Sequence, residues 1–170
     1  MTMTDFLADA FERVRDALYP AVNGLSVEEL TYRPDEESNT IAWLTWHLTR
    51  VQDEAIADLA GDEPLWTAHG WFDRYGLALD PADTGYGHDP RKVAIVVVES
   101  GALLDYFEDV HQRTVSWVRT LDEADLSRQV GGRWEPPAAV GQKLLDVLVD
   151  DLQHTGQAAY VRGVVQRRNR

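Results

Sequence analysis

The stretch SNTIAWLTWHLTRVQDEAIADLAG, residues 38–61, decides the fold. Ile41, Leu44, Leu48, Val51, Ala55 and Leu59 recur at intervals of three and four, which places them on one face of an α-helix. Ser38 or Asn39 is a good N-cap, and Gly61 suits a helix end. The stretch therefore predicts a long helix over residues 39–60. Trp43, Trp46 and His47 sit beside the apolar stripe. An imidazole among such neighbours is costly unless something pairs with it, so His47 asks for a partner.

Working outward, the same periodicity appears three more times. Phe6, Leu7, Ala10, Phe11, Val14, Ala17 and Leu18 predict a helix over residues 5–23, with Pro20 expected to end or kink it. Residues 26–29 read as a capping box that opens one short helical turn. Val93, Val96, Val97, Ser100, Leu103, Leu104, Phe107, His111, Val115 and Val118 fit a 3.6 period better than a strand, predicting a short helix over 90–98 and a long one over 100–120. A short turn follows over 121–128, and a last long helix is expected over 138–166, with Arg162 and Arg167 at its cation-favouring end. Residues 61–89 have no clear period and hold several glycines and prolines. Loops of this length are often functional. Trp66, Trp71, Phe72, Tyr75 and Tyr86 make this one a lid that packs down, not a linker. Four long helices, no convincing strand and no internal repeat predict an all-α four-helix bundle with long connections, in one domain spanning residues 1–170.

Bulk composition narrows the function. The chain has 170 residues, 44% hydrophobic and 26% charged, the balance of a globular protein with one sizeable core. A formal net charge of −13 repels phosphate backbones, so no nucleic-acid partner is expected. No apolar run reaches the roughly 18 residues of a membrane span, and no membrane partner is expected. Residues 1–7 lack a basic and then apolar leader pattern, which makes the cytoplasm the expected location. The sequence contains no cysteine, which removes disulfides, thiolate metal ligands and a cysteine nucleophile.

The chemistry centres on the last helix. Asp150 and His154 are four apart and project from one face, a spacing by which one helix can offer two metal ligands. Gln157 lies one turn further on, and Asp151 is an alternative carboxylate with a less favourable rotation. His47 is the best third ligand. Two histidines and a carboxylate leave coordination positions open, as catalytic sites do. The set serves zinc and non-haem iron alike and does not name the ion. By spacing alone, a solvated Asp150–His154 ion pair and a satisfied core His47 remain the commoner readings.

At these residues the sequence resembles the DinB-like superfamily, in particular its actinobacterial branch related to mycothiol-dependent maleylpyruvate isomerases and S-transferases. The matching stretches are NTIAWLTWHL (residues 39–48) and DDLQHTGQ (residues 150–157), with weaker matches at DTGYGH (residues 83–88) and RWEPP (residues 133–137). The resemblance implies a four-helix bundle with a divalent metal between the second and last long helices, held by His47, Asp150 and His154. Many members have histidine at both positions of the last helix. The carboxylate at Asp150 is closer to the maleylpyruvate isomerases. Zinc is the expected ion, with nickel or iron as alternatives.

The implied activity is that of a metal-dependent thiol transferase or isomerase. A low-molecular-weight thiol, mycothiol by resemblance, would bind the open metal position and attack an electrophile as its thiolate. The lack of cysteine fits a nucleophile supplied from outside. His88 and Tyr86 are candidates for catalytic roles as general acid or hydrogen-bond donor. Trp43, Trp46, Gln157 and Arg133 are candidates for substrate binding, and Arg50 or Arg133 for holding an anionic group. Glu54 shares a face with His47 and is a candidate for supporting it. The competing expectations are a metal-binding stress-response module without turnover and a hydrolase that uses metal-bound water. A homodimer is also expected from the tryptophan-rich surface.

Overall fold

The computed structural model describes residues 2–131 and 136–168. Four long helices surround one core: α1 (Met3–Val22), α3 (Ile41–Ala60), α7 (Ser100–Val118) and α9 (Val140–Arg168). The α1 helix packs on α7 and α9, and so does α3, so α1 and α3 stand on opposite corners of the bundle. The expected all-α bundle is what the chain adopts. No helix among the described residues is long and apolar enough to cross a membrane.

Local chemistry explains most boundaries. Thr2 caps α1 with a reciprocal Asp5 capping box, and Ser26 and Glu29 do the same for α2 (Val27–Leu30). The α3 cap is Thr40, whose hydroxyl accepts from the Trp43 amide at 3.0 Å, one residue later than Asn39 and two later than Ser38. Gly61 ends α3 in the left-handed conformation, φ 79°. Pro20 does not end α1, which continues to Val22. The carbonyl it leaves without an amide partner belongs to exposed Asp16, where water can solvate it. The buried face of α1 runs through Leu7, Ala8, Phe11, Val14 and Leu18, while Phe6 is 57% exposed and lies off the stripe on which it was expected.

Two further expectations need correction. The helix predicted over 90–98 stops after one turn, α6 (Pro90–Val93). Beyond it the chain turns at Ala94 and Ile95 and then has no regular secondary structure up to Glu99, with Val96 and Val98 buried and Val97 52% exposed. That alternation is the period of an extended chain, which β-branched valines favour. The expectation of no strand fails in a small way. Ahead of α9, Gln129 and Val130 (β1) pair antiparallel with Ala139 and Ala138 (β2), after α8 (Glu123–Ser127).

The segment over 61–89 packs down as a lid, but it is partly helical. It carries α4 (Leu65–Ala68) and α5 (Trp71–Tyr75). Trp66 is 1% exposed and meets Trp46, Phe72, Tyr75 and Tyr106. A buried carboxylate anchors this segment to α3. Asp53, 0% exposed, accepts the amides of Leu65 and Trp66 at 2.9 and 2.8 Å, the Tyr106 hydroxyl at 2.7 Å and the Arg113 guanidinium at 2.6 Å. Removing one partner of a buried ionic network strands the others, at a cost of about 3–5 kcal/mol. Asp53→Ala should therefore lower unfolding stability by roughly that amount in a denaturant titration. A midpoint equal to that of the unaltered protein would show that the network does not hold the lid.

Candidate metal centre

The sequence places His47 in the middle of α3 and Asp150 and His154 one turn apart on α9, and these two helices pack side by side. The structure brings the three side chains together. One ligand atom from each lies within 4.8 Å of the other two. The imidazole rings of His47 and His154 meet edge to face, centroids 4.9 Å apart. His154 Nε2 lies 3.4 Å from Asp150 Oδ1. His47 is buried, and Asp150 and His154 are half-buried, so the cluster closes on the core side and opens outward.

Hydrogen bonds fix which nitrogens face the centre. His47 Nδ1 bonds the Thr84 carbonyl. A carbonyl only accepts, so Nδ1 carries the proton and Nε2 presents its lone pair. His154 Nδ1 bonds the Gln157 side-chain oxygen at 2.8 Å, which leaves its Nε2 turned toward Asp150 in the same way. This is how metal-ligating histidines are usually oriented. Asp150 Oδ2 is buried and has no hydrogen-bond partner. A cation would supply one, and two imidazoles with a carboxylate are a donor set that suits a borderline divalent ion.

The two histidines differ in proton affinity. Burial pulls the His47 pKa below its usual value; the Thr84 bond works against this, and charge on His154 reinforces it. Burial also acts to lower the pKa of His154, but bonds to Asp150 and Gln157 and the Asp150 charge outweigh it, and the net shift is upward. His47 is thus the readier ligand, and a cation competes with protons for His154 more than for His47.

The lid builds the wall of the site. Trp43 stacks on His47, centroids 4.6 Å apart and planes 12° from parallel. Its indole N–H donates to His88 Nδ1 at 3.0 Å, so His88 Nε2 carries the hydrogen that reaches Asp83 at 2.9 Å. Gly85, at φ 92°, lies so close that a Cβ would sit 2.8 Å from His47 Nδ1 and 3.0 Å from the Trp46 ring. Arg50, 1% exposed, donates to the Asp83 carbonyl and to Glu54, so the segment carrying Thr84 is tied back to α3.

The remaining candidates fall in different places. The His88 side chain is 1% exposed with both nitrogens engaged, and Tyr86 is 93% exposed. Trp43 and Trp46 are core residues at 5% and 1% exposure, backing the histidines. Arg50 is buried, bonding the Asp83 carbonyl on the lid and Glu54 on its own helix. Glu54 pairs with that arginine. Asp151 is 0% exposed inside the bundle, where burial and the neighbouring Asp150 raise its pKa well above the ordinary carboxylate value, and it is not part of the cluster. Arg133 lies outside the described residues. Sequence reasoning missed the Thr84 carbonyl and Gly85. A backbone carbonyl has no residue signature, though the glycines flanking Tyr86 were a signal of close approach.

Two clefts lie along α9, and Asp150 of the cluster lines the smaller one. One, of about 710 Å³, includes Leu44 of α3 and Gln153 and Gln157 of α9. The other, of about 280 Å³, includes Glu54, Thr84 and Asp150. Fold and site together define an all-α bundle with a His–Asp–His cluster in the groove between two of its helices. The chain belongs to the DinB superfamily, whose sequence profile matches residues 10–158. Members of that superfamily commonly bind metal ions. A conserved protein from Enterococcus faecalis has a similar crystal structure, with a TM-score of 0.89 and 28% identity, covering 97% of this chain and 98% of that one. No curated protein matches the chain.

Two outcomes test the centre. Divalent zinc should bind one per chain with proton release, and calorimetry should show affinity weakening as the pH falls from about 8 to about 6, because His154 regains its proton. Gly85→Ala should lower zinc affinity at least about ten-fold while leaving the helices intact, since the new methyl group displaces the segment that orients His47. Unchanged affinity in that variant would mean that Thr84 does not position the ligand.

Proposed function

We propose that this protein is a divalent-metal-dependent enzyme that activates a low-molecular-weight thiol, mycothiol by family resemblance, for transfer to or isomerisation of an electrophile. The observation that carries the reading is the half-open His47–Asp150–His154 cluster, with Asp150 lining a cleft and both histidines turned ligand-side inward. Zinc is the ion we assign to it. When bound, such an ion supplies Lewis acidity that lowers the pKa of a coordinated thiol toward neutrality.

The protein's own residues do the rest. His47 and His154 hold their orientation through Thr84 and Gln157, and Asp150 supplies the negative charge that keeps a cation in place. Trp43 and Gly85 close the core side, so exchange with solvent and substrate runs past half-buried Asp150 and His154. The absence of cysteine leaves the nucleophile to come from the cosubstrate. We assign His88 a positioning role, because it holds Trp43 against His47 through a bond to Asp83. Tyr86, on the exposed tip of the lid, is a candidate hydrogen-bond donor to a bound electrophile.

The test combines elemental analysis with turnover. Zinc-loaded protein offered mycothiol and a bimane electrophile should form the conjugate. His47→Ala and His154→Ala should lose at least about a hundred-fold in rate together with the metal, in keeping with the loss of a ligand. Stoichiometric metal without conjugation across several thiols would favour a binding module. Ester hydrolysis without thiol would favour a hydrolase.

A further inference from the structure

The last helix has two apolar faces. One faces the core through Leu144, Val147, Leu148, Ala158 and Val161. The other faces outward. Leu145, Val149, Leu152 and Tyr160 are all exposed, and their spacing sets them in one row along α9. Gly156 and Gly163 lie in the same row, and no charged residue stands in it between Leu145 and Gly163. A Cβ on Gly156 would meet nothing within 4 Å, so the row has an open notch at its middle. Single exposed apolar side chains are ordinary, but four in one row make a patch, and a helix apolar on opposite sides is normally covered on both. The tryptophans do not supply such a surface, because Trp43, Trp46, Trp66 and Trp71 are buried.

This row is complementary to itself when two copies of α9 pack antiparallel. With a two-fold axis midway between Leu152 and Gly156, helical geometry sets Leu145 opposite the partner's Gly163 and Leu152 against the partner's Gly156 and Ala159. Val149 then lies beside the partner's Tyr160. The leucines meet small residues, and symmetry makes every contact twice. Charge agrees with this pairing. Apart from buried Asp151, residues 140–154 carry Asp146, Asp150 and Lys143, and that lysine is paired with Asp146. Residues 155–168 carry Arg162, Arg167 and Arg168 and no carboxylate. Antiparallel packing brings the acidic half of one helix to the basic half of the other and opposes the two macrodipoles, whereas parallel packing sets like on like.

We infer that the outer face of α9 binds a second copy of this chain, as an antiparallel helix pair centred on Leu152 and Gly156. The row from Leu145 to Gly163 is about 27 Å long, at about 1.5 Å per residue. One helix pair of that length is at the small end of specific interfaces, so association falls in the micromolar range. Gly156 and Tyr160 also line the larger cleft, so the partner's helix borders that cleft.

Sedimentation of the full chain tests this over a range from about 2 to about 200 μM, where the mass should rise from monomer to dimer. Leu152→Glu and Leu145→Glu, both on exposed positions, should each raise the dissociation constant at least about ten-fold, since one substitution alters the symmetric interface twice. Circular dichroism checks that each variant keeps its helices, and either variant suffices if the other does not fold. The orientation is read from thiols, which report cleanly because the chain has no cysteine of its own. An equal mixture of Leu145→Cys and Gly163→Cys, oxidised with diamide, should give mainly the mixed disulfide between positions 145 and 163, as identified by mass spectrometry. A monomer at every concentration overturns the inference. So does a dimer that both glutamate variants leave intact, because its interface then lies elsewhere. Cross-linking chiefly between two copies of position 145 overturns the antiparallel pairing.

Discussion

The constraint on which this structure depends is the burial of polar groups on α3. Sixteen of its twenty residues are buried, among them His47, Arg50, Gln52 and Asp53. Buried polar groups need partners; Thr45 and Thr49 bond carbonyls of their own helix, but the longer side chains reach beyond it. Gln52 finds Thr114 on α7, and Asp53 finds Tyr106 and Arg113 there as well. The rest are met by the segment over 61–89: the Leu65 and Trp66 amides reach Asp53, the Asp83 carbonyl reaches Arg50, and the Thr84 carbonyl reaches His47. The lid sits where it does because α3 requires it there.

That arrangement links stability to the chemistry of the site. The groups that fix the lid also set the tautomer of His47, and Gly85 permits the contact by carrying no side chain. On α9 a shorter device does the same for His154, through Gln157 three residues on. One histidine is oriented by tertiary contact and the other by its own helix. They also differ in charge: His47 is driven toward neutrality by burial, while His154 is held toward the protonated form by Asp150 and Gln157. A bound cation would compete with protons for His154, and Asp150 and His154 lie on the half-buried, outward side of the cluster.

Much of the fold was legible in the sequence because long amphipathic helices carry a redundant signal. The period over 39–60 is repeated across five turns, so one misplaced residue does not spoil it. Short elements carry no such redundancy. The run VAIVVV at residues 93–98 fits a helical and an extended pattern about equally over so few positions, and the packing of Val96 and Val98 against the core decides against a continued helix. Phe6 fits the apolar stripe of α1 by spacing but faces outward, because the rotation of a helix is set by its neighbours α7 and α9 and not by its own pattern.

For the site, the sequence by itself determined that Asp150 and His154 share one face of a helix and that His47 lies within another, since both follow from helical geometry alone. Only the tertiary structure decided that α3 and α9 are neighbours in the bundle and that the three side chains meet. It also decided that Asp151, one residue away, is turned into the core, and that Arg50 and His88 serve the lid, with both His88 nitrogens engaged there. The reason is physical: spacing along a chain fixes direction within an element, whereas the distance between elements is set by packing, and the partners that buried groups require come from wherever packing brings them.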